Sequence, residues 1–124
     1  MPIVLVALGG AAGAAARYLV DGWVSDLTGG EFPWGTLVVN GTGAFALGVL
    51  FALAIEADVL PASIRGPVMI GFIGAYTTFS TLMLESWRLW EDGAATLALV
   101  NVVGSVLVGV VAVVAGLIAG RAIA

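Results

Sequence analysis

The sequence predicts an all-α membrane protein: one domain over residues 1–124, with four transmembrane helices, the third of them broken. Three observations lead there. Of 124 residues, 61% are hydrophobic and only 10% charged, where a soluble domain carries about 25% charge. Four apolar windows, roughly 3–24, 33–55, 64–90 and 94–118, each supply the ~20 helical residues needed to cross a hydrocarbon core of ~30 Å. Within the third window, a polar run from Gly71 to Thr81 interrupts the apolar pattern. Lipid offers no water to unpaired backbone groups, so such an interruption belongs where it lines a cavity or binds an ion.

The first window begins near the N-terminus and contains Ala14-Ala15-Ala16, which looks like a signal-peptide cleavage site. Nothing basic precedes Arg17, so it reads as a transmembrane helix instead. Thr28-Gly29-Gly30 ends it, and Pro33 suits the first turn of the second helix. Glu56-Ala57-Asp58 closes the second window, Ser63 is expected to cap the third, and Glu91-Asp92-Gly93 forms the last tight turn. Four crossings place both termini on one side and Trp23, Trp34, Trp87 and Trp90 on the other, as an aromatic belt. Arg65 and Arg121 fall on the terminal side, Arg88 and Arg17 on the belt side. This balance gives no clear orientation signal, so dual topology with antiparallel pairing is expected. Gly9-xxx-Gly13 and Gly116-xxx-Gly120 allow close helix approach, within one subunit or between two.

Composition excludes several functions. Without His or Cys, the usual zinc, haem and iron–sulfur ligand sets are missing, as is Cys or His catalysis. A net charge of −4 provides no basic face for nucleic acid. No nucleophile–base pair or cofactor fingerprint points to an enzyme.

The polar residues inside the windows ask for partners. Thr36, Asn40 and Ala44 lie on one helical face, as do Asn101, Ser105 and Gly109. Each stripe can serve helix contact or an ion pathway. Arg17, six residues before Trp23, can snorkel to the interface or gather anions at a vestibule. Glu85 can pair with Arg88 at i, i+3 or stand in a pathway. At the break, Thr77, Thr78, Ser80 and Thr81 can return hydrogen bonds to their own backbone, or unwound carbonyls can face a cation.

Together these residues resemble the Fluc/CrcB fluoride channel family over nearly the whole chain. The resemblance rests on Gly9-Gly10-Ala11-Ala12-Gly13-Ala14 with Arg17-Tyr18, and on Pro33-Trp34-Gly35-Thr36-Leu37 with Val39-Asn40 and Gly43. It extends to Gly71-Phe72, Gly74, Thr77-Thr78-Phe79-Ser80-Thr81, Glu85, Asn101 and Gly104-Ser105. It implies an antiparallel dual-topology dimer in the cell membrane with two fluoride pathways along the subunit interface. It also implies a structural sodium ion held by the backbone carbonyls of Gly74 and Thr77 from both copies. Asn40, Phe79, Ser105, Ser80, Thr81 and Glu85 carry over as pathway residues, joined by Thr36 and Asn101 from the polar stripes. Arg17 matches the family's vestibule arginine. Leu82 departs from the pattern, which usually has a second Phe there. A homodimer with an apolar wall and a heterodimer whose partner supplies the ring are both open.

Two other functions fit the size: a small proton-coupled multidrug-type exporter, and a non-transporting membrane assembly subunit. The exporter mechanism relies on an acid in the first helix, and none lies between Met1 and Val20.

Overall fold

A computed structural model describes residues 2–124. Its elements are α1 (Pro2–Thr28), α2 (Trp34–Phe51), α3 (Ala62–Arg65), α4 (Gly74–Tyr76), α5 (Phe79–Glu91) and α6 (Ala95–Ile123). Two π-helical stretches join this series: Ala52–Glu56 continues α2, and Gly66–Ile73 links α3 to α4. No strand occurs among the described residues. Four helical spans, Pro2–Thr28, Trp34–Glu56, Ala62–Glu91 and Ala95–Ile123, are long and apolar enough to cross a membrane. Their C-terminal ends lie one to five residues beyond the expected windows, because helix continues into the flanking polar residues at Asp26, Glu56, Glu91 and Arg121.

The connectors turn where backbone chemistry allows it. Gly29 and Gly93 adopt positive φ (57° and 83°), the region open to a residue without a Cβ. Asp58 does so too, at φ 53°, where aspartate is among the tolerated residues, and Arg65 reaches back to its carboxylate. Ser63 does not cap the third span. That role falls to Pro61, which makes no side-chain cap bond, and Ser63 lies inside α3. The pyrrolidine ring fixes Pro61 at φ −56° and ends the extended approach there.

Packing follows the glycines. α1 lies mainly on the π stretch of the third span, and α2 on α6. A Cβ on Gly13 would collide with the Phe72 carbonyl, and one on Gly116 with the carbonyl of Phe45. Both small-residue pairs are therefore used inside the subunit, where backbone meets backbone. Van der Waals contact of this kind holds helices together in lipid, where no hydrophobic gain is available. Trp23, Trp34, Trp87 and Trp90 are all exposed at the end opposite the termini.

Candidate functional site

The third span loses its helix at two residues. Thr77 (φ −82°, ψ 158°) and Thr78 (φ −150°, ψ 115°) are extended, between Tyr76 and Phe79. Helical backbone requires each N–H to meet the carbonyl four residues earlier. The last such bond before the gap joins Thr77 N–H to Ile73 O at 3.1 Å.

Asn40 of α2 takes the next one. Thr78 N–H, which in a continuous helix would reach Gly74 O, donates instead to Asn40 Oδ1 at 2.7 Å. The same amide returns a bond from Nδ2 to Thr78 O at 3.0 Å. Thr81 N–H, whose helical partner would be Thr77 O, goes to the Thr78 hydroxyl at 3.3 Å, an N-cap for α5. Two diversions release two carbonyls, those of Gly74 and Thr77. A third carbonyl, Ala75 O, accepts from Arg17 Nε at 3.2 Å. Arg17 thus turns toward the break, not out to the interface as a snorkelling side chain would.

The break opens onto a groove of about 310 Å³ lined by Asn40, Gly43, Thr77, Thr78, Phe79 and Leu82, among others. The Phe79 ring stands 74% exposed, whereas Leu82 is buried at 7%. Ser80 is exposed, and Thr81 is half-buried with its hydroxyl 3.0 Å from that of Thr78. On the belt side of the break a cavity of about 20 Å³ is bounded by Arg17, Asp21, Thr36, Thr78 and Thr81. That volume admits one water-sized species. Thr36 is buried and lies beside the half-buried Glu85. Glu85 forms no ion pair with Arg88: among the described residues only Arg65–Asp58 and Arg121–Glu56 pair. Instead Glu85 points inward, and its Oε1 is buried without a hydrogen-bond partner.

The α6 stripe divides in two. Asn101 is buried and gives an Nδ2 proton to Ser86 Oγ at 2.8 Å, while Ser86 donates to Leu82 O at 2.7 Å. One of its amide donors therefore joins α6 to α5. Its Oδ1 and the Ser105 hydroxyl are buried without partners. Ser86 and Asp21 were not singled out in the sequence. Ser86 carried a signal, since it stands one residue from Glu85 and fifteen from Asn101. Asp21 had one too, four residues after Arg17 on the same helical face. The break thus gathers Arg17, Thr36, Asn40, Gly74, Thr77, Phe79, Ser80, Thr81 and Glu85 around one crossing of α1, α2 and the third span. Asn101 and Ser105 stand on a separate helix face.

Among the described residues, no cluster of acidic side chains could hold a metal ion.

Comparison with known proteins places the chain. A family model described as CrcB-like protein, Camphor Resistance (CrcB), matches residues 4–117. A "Fluoride-specific ion channel FluC" of Magnetococcus marinus is 46% identical over 123 residues, covering 99% of this chain and 100% of that protein. One of the same description from Hahella chejuensis is 45% identical over 121 residues (98% and 95%). Another, from Geobacter metallireducens, is 47% identical over 108 residues (87% of each). With the match running from the first helix almost to the end of the last, the chain belongs to the CrcB family.

Proposed function

We propose that this chain forms a fluoride-selective channel, which lets fluoride leave the cell passively and so prevents its toxic accumulation. The active unit is an antiparallel dual-topology pair of chains in the cell membrane. The observation that carries the reading is the break held open by Asn40, which places released carbonyls and unpaired donors side by side. The names of the relatives support fluoride as the ion.

Fluoride is small and strongly hydrated, so a dry lane must replace its water with good donors. Ser80, Thr81, Thr36 and Ser105 offer hydroxyls, and Asn40 keeps a second amide proton. Phe79 offers the positive edge of its ring quadrupole from an exposed position. The N–H groups of Phe79 and Ser80 open α5, where a helix leaves its first donors unpaired and its dipole favours negative charge. Arg17 raises the anion concentration near the break. A lane sized for fluoride rejects chloride by size and by solvation.

The sodium ion fits the residues present. Gly74 and Thr77 contribute carbonyl oxygens freed from the helical ladder, hard neutral ligands suited to a hard cation. A Cβ on Gly74 would meet nothing within 4 Å, so its backbone is open to approach. Two copies would supply four such oxygens. Bound there, sodium supplies positive charge that holds two broken helices together.

Leu82 turns inward in the single chain, so it forms wall rather than a second exposed ring. A homodimer is the simpler assembly on that geometry. The test is efflux from liposomes containing only this protein, read by a fluoride electrode with valinomycin releasing the counter-charge. Rapid fluoride loss with little chloride loss is expected. Folded protein that moves no fluoride would point to a missing partner chain or a non-transporting subunit.

A further inference from the structure

The third span leaves helical form between two anchors on α2. After the gap, Asn40 holds the backbone of Thr78. Before it, the phenol oxygen of Tyr76 lies 2.9 Å from the Thr42 hydroxyl. Asn40 and Thr42 are two residues apart, which sets them about 200° apart around a helix. The span therefore grips α2 from opposite flanks.

Proton count gives the direction of the second bond. Thr42 has one hydroxyl proton, and its oxygen lies 2.7 Å from Val38 O and 3.2 Å from Val39 O, which can only accept. With that proton committed to backbone, Tyr76 donates and Thr42 accepts. The Tyr76 ring is buried and stacks on Phe72, with centroids 6.0 Å apart. It also lies against Gly43, where a Cβ would come within 3.2 Å of the ring and would strike the Thr77 methyl. Packing alone would be met by the ring; the hydroxyl adds only the bond to Thr42.

We propose that Tyr76 is a positioning residue for the two released carbonyls that flank it, Gly74 O and Thr77 O. Its bond to Thr42 holds the last helical turn before the gap, so that both oxygens stay out of the helical ladder and available to sodium. The inference rests on the sodium reading and names what this chain's own side chains contribute to it. A continuous helix would join Thr78 N–H to Gly74 O. Asn40 diverts the donor, and Tyr76 restrains the turn that carries the acceptor. Between them Ala75 O is held by Arg17. Lipid tails offer the phenol no other acceptor, so without Thr42 the turn is free to shift. Ligand oxygens fixed in advance need less reordering when the ion binds.

Purified protein in detergent would be titrated with sodium chloride against N-methylglucamine chloride at constant ionic strength, reading resistance to heat and pairing by size-exclusion chromatography. Tyr76→Phe keeps the ring and removes only the donor, leaving Thr42 bonded to Val38 O. In sodium-free buffer it should unfold close to the wild-type temperature. The sodium concentration that gives half of the full stabilisation should rise about threefold or more, as loss of one neutral hydrogen bond allows. Thr42→Ser keeps the acceptor and should hold the wild-type midpoint. Thr42→Val should shift the midpoint as Tyr76→Phe does, and joining the two substitutions should add nothing. A wild type whose stability and pairing ignore sodium removes the cation reading, and this role with it. A wild type that responds to sodium, with an unmoved midpoint in Tyr76→Phe, overturns the positioning role alone. An equal loss of stability at every sodium concentration does the same. Should Tyr76→Phe fail to fold, the midpoints of Thr42→Ser and Thr42→Val decide.

Discussion

The side-chain amide of Asn40 bonds both backbone groups of Thr78, accepting from its N–H at 2.7 Å and donating to its carbonyl at 3.0 Å. An asparagine amide has the shape of a peptide group, and here it takes the place of the next helical turn. Helix geometry would otherwise pull Thr78 N–H back to Gly74 O. The clamp explains why the third span can leave helical form inside a membrane: the groups that would be unsatisfied in lipid find a side chain from α2.

Replacing Asn40 with Ala removes both bonds and leaves Thr78 to close back onto Gly74 or to stay unpaired. The expected cost to stability is about 2–3 kcal/mol, read by unfolding in detergent. Amide hydrogen exchange at Thr78 should change in the same variant. Asn40→Asp keeps an acceptor for Thr78 N–H, loses the donor, and places negative charge beside the lane. It should fold better than Asn40→Ala and conduct no better.

Thr78→Ala tests a different link. The backbone of Thr78 keeps its Asn40 bonds, while the bonds of its hydroxyl to the Thr81 N–H and the Thr81 hydroxyl are lost. Stability should fall by about 1 kcal/mol, and fluoride flux should fall less than in Asn40→Ala. Equal losses in the two variants would place the weight on the cap rather than on the clamp.

Gly74→Ala and Gly13→Ala separate folding from assembly. In the single chain a Cβ at Gly74 meets nothing, whereas one at Gly13 would strike the Phe72 carbonyl. Gly13→Ala should therefore destabilise the subunit by about 1–3 kcal/mol, read by denaturant titration. Gly74→Ala should leave the subunit folded but weaken pairing and sodium-dependent stability, read by size-exclusion chromatography with and without sodium. A Gly74→Ala protein with unchanged pairing, sodium response and flux would remove the proposed cation site.

Much of this was legible beforehand, for physical reasons. Span count follows from hydrophobic length, and the end-on placement of four tryptophans from chain reversal. The polar run marked the break, because Gly, Thr and Ser in an apolar window conflict with lipid. What the sequence left open was the direction of each polar side chain. Asn40 offers donors and an acceptor whichever way it points, and only the fold shows that one of each is committed to Thr78. Arg17 could equally snorkel or turn inward, and Glu85 could equally meet Arg88. Ser63 misled because its type suits a cap while Pro61, two residues earlier, sets where the helix begins.

The buried bridge between α5 and α6 gives another test. Ser86→Ala leaves Asn101 Nδ2 without its acceptor in a buried site, at an expected cost of about 1–3 kcal/mol. Ser86→Ala combined with Asn101→Leu removes both polar groups and should recover part of that loss. A double-mutant cycle of unfolding free energies reads the coupling.

Leu82→Phe asks whether the lane accepts a second ring. The groove beside Asn40 and Phe79 measures about 310 Å³ and is open on one side, so a larger side chain has somewhere to go. Flux should be preserved or raised in a homodimer. A collapse of flux in a well-folded variant would show that the wall must stay aliphatic.

The most direct test of the account is fluoride efflux from liposomes holding wild-type protein or Asn40→Ala, with chloride followed in parallel. Fast, fluoride-selective efflux is expected from the wild type and none from an Asn40→Ala protein that still elutes as the same folded species. Wild-type flux through Asn40→Ala would contradict it, because the break would then conduct without the amide that holds it open.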